Sequence, residues 1–364
     1  MIISKNSSKP SADVNFNKIV SDELYGYIDT YVSFWALMLL SCFGLTTNTL
    51  NAIVFVRQGF KDGVNISLMS ITFWDFVKCF SGLVHRMYGP ISLFSAVTST
   101  SWKNFTFPYV DYTPIFSSYV AYALTSYVSV ERCLCVCKPF KVKAIFTPKF
   151  TLVMVVLISV CVFGAYIIIY FLYEIYYAYN VYLNSTVAFY RYDSLYYEYG
   201  YIIMPYYKFT AILIPTLSFM TLCTCSAITV YQLKRSANIF NNKKHQTRGD
   251  NQTSGISQRE KLVAKMLLVV IIVNIGNLFP RIIFYIGQLV EPEFYVLMKY
   301  HNFFMTIARF LFVLDFTNAC VHFFIFLSMS SNFRSTFYQF FGKSVKVMKL
   351  SFNVTFGLPC SDVV

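Results

Sequence analysis

The sequence predicts an all-α membrane protein: a bundle of seven transmembrane helices with its N-terminus outside the cell, its C-terminus inside and a short amphipathic helix after the seventh span. Three observations predict this fold. Apolar side chains make up 56% of the 364 residues and charged ones only 13%, whereas a soluble domain is about one quarter charged. Seven apolar stretches are long enough to cross a bilayer, and the basic residues between them fall mainly on one side. This composition excludes a disordered chain, collagen and an ordinary soluble enzyme.

The spans follow from the length that a bilayer imposes. A helix needs about 20 mostly apolar residues to cross the hydrocarbon core, because every backbone polar group must be bonded within the segment. They divide the chain into an extracellular segment, 1–31, a seven-transmembrane domain, 32–328, and a cytoplasmic tail, 329–364. The predicted spans are roughly 32–56, 65–89, 114–138, 151–173, 207–233, 263–289 and 302–328.

The orientation follows from the basic residues. With the N-terminus outside, 19 of the 30 Lys and Arg residues lie on the cytoplasmic side, which is the side that the positive-inside rule selects. Nucleic acid is excluded as a partner, because its recognition needs basic residues clustered on a soluble surface, and here they are spread between apolar stretches. We therefore expect a multi-pass protein of the plasma membrane, with the lipid bilayer as the partner of its spans.

The predicted extracellular segments carry three N-glycosylation sequons, at Asn6, Asn104 and Asn184. None of the ten cysteines falls in these segments, so no disulfide is expected. The second extracellular loop, roughly 174–206, is rich in tyrosine. Tyrosine suits both the membrane interface and a surface that caps a ligand, and the composition leaves both interpretations open.

The end of the third span carries the most specific motif, Glu131 followed by Arg132, with Pro139 seven residues later. It resembles the acidic-Arg-aromatic motif of rhodopsin-like G-protein-coupled receptors. In that family the arginine is held by carboxylates at rest and released to the G protein on activation. Glu260 precedes Pro280 of the sixth span by twenty residues, the spacing of the acidic partner in many relatives. The resemblance therefore implies a resting lock between Glu260 and Arg132.

Further polar residues within the spans resemble the activation machinery of the same family. Asp75 of the second span is similar to a buried aspartate that binds sodium there, so a sodium ion is a candidate ligand of this chain. Asn48 of the first span and Asn318 of the seventh are its expected companions. His322 begins the segment that takes the place of the family's Asn-Pro-x-x-Tyr motif.

The resemblance covers roughly 32–342 and extends to the helix kinks and the tail. Pro215 and Pro280 match the kink prolines of the fifth and sixth spans. Residues 333–342 place phenylalanines at helical spacing beside basic residues, as expected for an amphipathic helix on the inner leaflet. The style of the loops is similar to divergent invertebrate chemosensory and orphan peptide-type receptors, including those of molluscs.

The chain also departs from the family. Phe107 stands where the first cysteine of the usual extracellular disulfide would be, so the second extracellular loop must be held by packing, glycan or its tyrosines. Leu278 replaces the usual tryptophan of the sixth span, and Cys223 replaces a tyrosine of the fifth. A tryptophan rotamer switch is therefore excluded.

Charged side chains within spans are expensive and face the bundle interior. They can neutralise one another, for example Asp315 with Arg281 or Lys78, or they can face a ligand, and both interpretations stay open. Because basic residues exceed acidic ones, we expect a ligand with an acidic or carbonyl group. The candidate ligand-binding residues are Lys78, Asp111, Arg281, Arg309 and Asp315.

The function most consistent with these features is that of a chemosensory receptor, which binds an extracellular chemical or peptide ligand and activates a heterotrimeric G protein. A neuropeptide receptor of the same fold is the alternative within this class. An enzyme is not expected, because the four His residues make no metal-ligand spacing. A transporter would show internal repeats, and a seven-span channel of inverted topology would contradict the charge count. Two ligand classes are not expected. Monoamine receptors have an aspartate at the position where this chain has Pro114, and opsins bind retinal through a lysine of the seventh span, whereas 302–328 contains no lysine.

Overall fold

The computed structural model describes residues 19–137, 145–246, 258–296, 298–340 and 342, and the side chains of all of these except 236–246 and 258–263. Within this part of the chain, seven helical segments are long and apolar enough to cross a membrane, which confirms the predicted bundle. These spans are Asp22–Gln58, Gly63–Ser92, Ala96–Cys137, Pro148–Phe171, Ser194–Arg235, Ala264–Val290 and His301–Met329.

The spans are built from shorter elements, and one hairpin lies between the fourth and fifth spans. A further helix, called here the tail helix, occupies 331–340. The elements in chain order are α1 (Asp22–Ile28), a π-helical segment (Asp29–Ala36), α2 (Leu37–Gln58), α3 (Gly63–Arg86), α4 (Tyr88–Ser92), α5 (Ala96–Tyr109), α6 (Thr113–Cys137), α7 (Pro148–Gly164), a 3-10 segment (Ile167–Phe171), β1 (Tyr173–Asn180), β2 (Ser185–Tyr192), α8 (Ser194–Gln246), α9 (Gln258–Val290) and α10 (His301–Met329).

Local chemistry sets several helix ends. The side chains of Asp62, Ser95 and Thr147 accept hydrogen bonds from backbone N–H groups of the first turns of α3, α5 and α7, and so satisfy donors that have no partner within the helix. Pro148 follows as the first residue of α7, where its missing N–H costs nothing. Gly59 ends α2 with φ of 78°, a conformation that a Cβ atom would strain.

The structure differs from the sequence prediction on the extracellular side. The predicted loop 174–206 contains an antiparallel hairpin, in which Tyr173 pairs with Tyr192 and Asn180 with Ser185. After the hairpin, α8 begins at Ser194 rather than near 207. Hydropathy detects only the part of a helix within hydrocarbon, and tyrosine favours strands as well as interfaces. The composition therefore located this region without specifying its structure.

Helix α5 and the hairpin hold each other without a covalent link. The amide of Asn104 donates to the carbonyl oxygen of Ala188 (2.8 Å), and the Ser101 hydroxyl accepts from the N–H of Ala188 (3.2 Å). The Phe107 ring stacks on Tyr190 with 4.8 Å between centroids. Phe107, which stands where rhodopsin-like receptors have the cysteine of their extracellular disulfide, thus contacts the second extracellular loop through ring stacking. This agrees with the expectation that packing and tyrosines hold the loop in place.

Two of the three predicted glycosylation sites, Asn104 and Asn184, lie in this region. The hydrogen bond of Asn104 uses the amide nitrogen that a glycan would occupy. Asn184 is exposed at the hairpin turn with φ of 46°, and only its oxygen is engaged, by the Tyr179 hydroxyl. Asn6 lies outside the described residues. Glycosylation stays a prediction, and Asn184 has the most accessible amide of the two described sites.

The tail helix packs its apolar face against the bundle. The Phe333 ring is buried and lies 5.5 Å from the ring of Phe55 and 5.8 Å from that of Phe326. Phe337 contacts Phe323 at 5.6 Å, and the Arg57 guanidinium lies 4.2 Å from the ring of Phe340. The phenylalanine spacing of the sequence therefore corresponds to a helix docked on the first and seventh spans.

We predict that Phe107→Ala loosens the hairpin, because it removes an aromatic stack worth about 1 kcal/mol beyond its buried area. Hydrogen–deuterium exchange should accelerate across 173–192 and the melting temperature should fall by a few degrees. Phe105→Ala is the matched control, since Phe105 lies on the same helix with its side chain exposed. Equal exchange in the two variants would contradict the role of the stack.

Candidate functional site

The bundle interior contains a buried carboxylate held by three donors. Asp315 of α10 forms an ion pair with Arg281 of α9 and accepts a hydrogen bond from the hydroxyl of Tyr122 of α6. The amide of Asn277 donates to the same carboxylate at 3.1 Å. Asn277 and Arg281 are one turn apart, so they present their donors from one face of α9. All four residues are buried, and the third, sixth and seventh spans meet at this carboxylate.

A second buried carboxylate lies on α3. The ammonium of Lys78 is 2.8 Å from Asp75 Oδ1, and Nδ1 of His322 is 2.9 Å from Asp75 Oδ2. The spacing of three residues places Asp75 and Lys78 on one helix face. The Lys78 ammonium also donates to the backbone carbonyl of Asp315 at 3.4 Å. Lys78 therefore joins the two carboxylate clusters and connects the second span to the seventh.

The clusters around the two carboxylates balance their own charge. A buried ion is costly unless a counterion and hydrogen bonds satisfy it. Asp75 and Asp315 supply two negative charges, and Lys78 and Arg281 supply two positive ones. Mutual neutralisation, one of the two interpretations of the sequence, is thus present in the structure. Arg281 Nε has no hydrogen-bond partner within the described residues, which leaves this guanidinium with a donor to offer.

Tyrosines continue the polar chain from Arg281. The hydroxyl of Tyr285 lies 3.5 Å from Arg281 Nη1 and 3.2 Å from the hydroxyl of Tyr119. Tyr119 also packs on Tyr166, with ring centroids 5.3 Å apart. These tyrosines were not among the predicted site residues. The signal was present, because Tyr119 and Tyr122 lie three residues apart and share the face of α6 that meets Asp315.

Asparagines form a separate layer. The amide of Asn318 donates to the side-chain oxygen of Asn274 (3.1 Å), and that of Asn48 donates to the carbonyl oxygens of Gly44 (2.9 Å) and Ala319 (3.2 Å). Among the described residues, the Asp75 carboxylate is bonded to Lys78 and His322 and not to Asn48 or Asn318. The resemblance made Asn48 and Asn318 companions of Asp75, whereas the structure pairs Asn48 with backbone carbonyl oxygens and Asn318 with Asn274. Asn274 and Asn277, three residues apart in an apolar helix, were overlooked.

The remaining ligand candidates lie in another group. The Arg309 guanidinium is 3.3 Å from Asp29 Oδ1 of the first span, and Nε2 of His85 is 3.7 Å from Asp111 Oδ1. The other ring nitrogen of His85 bonds to the hydroxyl of Thr106 at 2.9 Å. The charge of Asp111 also acts on Arg309, so these two pairs form one group apart from the Arg281–Asp315 pair. The predicted set of ligand residues divides into two groups.

At the opposite end of α6, Arg132 is bonded to its neighbour Glu131. Arg132 Nε and Glu131 Oε2 are buried without a hydrogen-bond partner among the described residues. Glu260 lies in the first turn of α9, but its side chain is outside the described part, as is Pro139. The lock between Glu260 and Arg132 stays a prediction. Pro215 and Pro280 lie within α8 and α9, where each removes a backbone donor.

The model of one protein family matches residues 33–344 of this chain, and that family is described as serpentine type 7TM GPCR chemoreceptor Srw. The match covers most of the chain, so the protein belongs to this family. It is a multi-pass receptor of the plasma membrane and not an enzyme, as predicted, and an extracellular ligand and a G protein are its partners in general terms. Among curated proteins, none matches the chain.

The Arg281–Asp315 pair gives a testable energetic prediction. Arg281→Met leaves a buried carboxylate uncompensated and should lower the free energy of unfolding by about 3–5 kcal/mol, whereas adding Asp315→Leu should restore most of it. Thermal unfolding of the purified receptor measures both. The control cycle is Glu174→Gln with Arg191→Gln, an exposed pair on the hairpin, for which about 1 kcal/mol or less is expected. Additive losses at Arg281 and Asp315 would show that the pair does not interact.

Proposed function

We propose that this serpentine chemoreceptor binds a small extracellular ligand at the tyrosine end of its buried polar chain and that binding is passed to a heterotrimeric G protein at the end of α6 that carries Arg132. The observation that carries the proposal is the continuity of the chain. It runs from Tyr285 through Arg281, Asp315 and Lys78 to Asp75. A membrane protein retains such costly groups where they serve a function.

The chemistry of the tyrosine end of the polar chain indicates the ligand class. A guanidinium presents five donors in a planar fork and can hold two acceptors at once. Arg281 uses part of this fork for Asp315 and has Nε unpaired. Tyr119 and Tyr285 beside it offer hydroxyl groups and ring faces. A carboxylate or carbonyl group therefore suits this end of the chain, and the two interpretations of Arg281 become compatible.

The coupling of ligand binding to helix movement follows from the helices that contact the Asp315 carboxylate. Asp315 takes donors from α6 and α9, so a ligand that draws Arg281 away alters the contact between α9 and α10. The finer resemblance, to rhodopsin-like receptors and among them to mollusc-type ones, stays a prediction and supplies the remaining step. In that mechanism the sixth span, here α9, opens at its cytoplasmic end and Arg132 becomes available to the G protein.

A ligand screen tests the proposal. Cells that express the receptor with promiscuous G proteins are exposed to aliphatic and aromatic carboxylic acids, their methyl esters and the matching alcohols, and in a separate set to peptides without an acidic group. We expect responses to acids or esters and none to the alcohols, because only the former carry the carbonyl oxygen that Arg281 would bind. A response confined to peptides without an acidic group would favour the neuropeptide alternative.

The response to an acid found in this screen should depend on Arg281. The double variant Arg281→Met/Asp315→Leu should reach the cell surface and lose at least about tenfold in potency, the effect of about 1.4 kcal/mol of binding free energy. The exposed double variant Glu174→Gln/Arg191→Gln should keep its potency. Surface labelling establishes equal expression. Unchanged potency in the Arg281 variant would exclude this arginine from the ligand site.

Basal signalling should respond to the partner of Arg132. Glu131→Gln removes the charge that holds the guanidinium, so basal G-protein activation should rise at least about twofold, as expected for even a few tenths of a kcal/mol in the resting equilibrium. Glu260→Ala should raise it as well. Asp62→Asn is the control, because it removes a nearby carboxylate and keeps the N-cap of α3. If basal activity in Glu131→Gln equalled that of the control, Glu131 would not restrain Arg132, and the same result in Glu260→Ala would discard the lock between Glu260 and Arg132.

A further inference from the structure

The Asp75 carboxylate has an unusual pair of partners for a candidate sodium site. Both of its oxygens are engaged, Oδ1 by the Lys78 ammonium at 2.8 Å and Oδ2 by Nδ1 of His322 at 2.9 Å. The Asp75 side chain is 0% exposed and that of Lys78 is 2% exposed. The carboxylate is therefore enclosed together with a positive charge that belongs to the chain itself.

This donor set does not fit a sodium ion. A hard cation is held by oxygen atoms of carboxylates, carbonyls, hydroxyls or water, and here the two groups on the carboxylate are nitrogen donors. A sodium ion beside Asp75 would also lie against the Lys78 ammonium, and like charges repel strongly in a buried site. The charges of Asp75 and Lys78 cancel without an added ion, as do those of Arg281 and Asp315.

We infer that the Lys78 ammonium is a tethered cation that takes the place of a sodium ion at Asp75, so that this receptor is stabilised independently of sodium. The position of Lys78 one turn after Asp75 brings the ammonium to the carboxylate. Its second contact, to the carbonyl oxygen of Asp315 at 3.4 Å, joins α3 to α10. A covalently attached cation keeps this joint closed whatever the salt composition outside the cell.

The experiment compares the melting temperature of the purified full-length receptor in sodium chloride and in choline chloride at equal ionic strength. The unaltered chain should melt at the same temperature in both salts. In Lys78→Ala the ammonium is gone and the space beside Asp75 is open to an ion and water. This variant should melt about 2–4 °C higher in sodium than in choline, because ligand that binds only the folded state stabilises it.

Two further variants complete the test. Lys78→Gln provides a neutral side chain of similar length in case Lys78→Ala does not fold, and it should also gain dependence on sodium. Asp75→Asn/Lys78→Ala removes the carboxylate and should respond to neither salt. Sodium-specific stabilisation of the unaltered chain would overturn the inference, as would folded Lys78 variants that remain indifferent to sodium. Neither a ligand nor a G protein enters the measurement, so its outcome is separate from that of the proposed function.

Discussion

The neutralisation of buried charge is the constraint on which the rest of the bundle depends. Asp75, Lys78, Arg281 and Asp315 are buried, so each of these charges must find a counterion and hydrogen-bond partners within the bundle. Asp315 obtains them from the third and sixth spans, and Asp75 from its own helix and the seventh. These bonds tie the rotation and depth of the four spans to one another more tightly than apolar contacts do, since apolar packing is not directional.

Charge balance also changes how an acidic ligand would be recognised. The sequence shows an excess of basic residues in the spans, which suggests cations waiting for a negative partner. In the structure Arg281 and Lys78 already have carboxylates. A ligand at Arg281 would therefore compete with or share the bond to Asp315 rather than meet a free charge. Recognition and rearrangement of the helices then become one event, which is what a receptor requires of its ligand site.

How much the sequence could predict depended on the range of the interaction. The seven spans follow from local hydropathy, and the approach of Lys78 to Asp75 follows from helical spacing. Pairing between spans also needs the rotation of each helix, which one sequence does not supply, so Asp315 had two candidate partners until the structure placed it on Arg281. The hairpin could not be predicted because tyrosine favours strands and membrane interfaces alike.

The noncovalent attachment of the hairpin bears on access to the site. Tyr173 of β1 hydrogen-bonds through its hydroxyl to Tyr112 (2.9 Å), and the Tyr112 ring stacks on Phe116, 5.9 Å away. Phe116 is followed on α6 by Tyr119, whose hydroxyl lies 3.2 Å from that of Tyr285, the residue at which the polar chain begins. The hairpin thus rests on the same helix face that leads to Arg281. Each of its contacts contributes only about 1 kcal/mol, so each can be broken at far less cost than a covalent bridge, and the contact of the hairpin with Tyr112 lies directly before the helix that carries Tyr119.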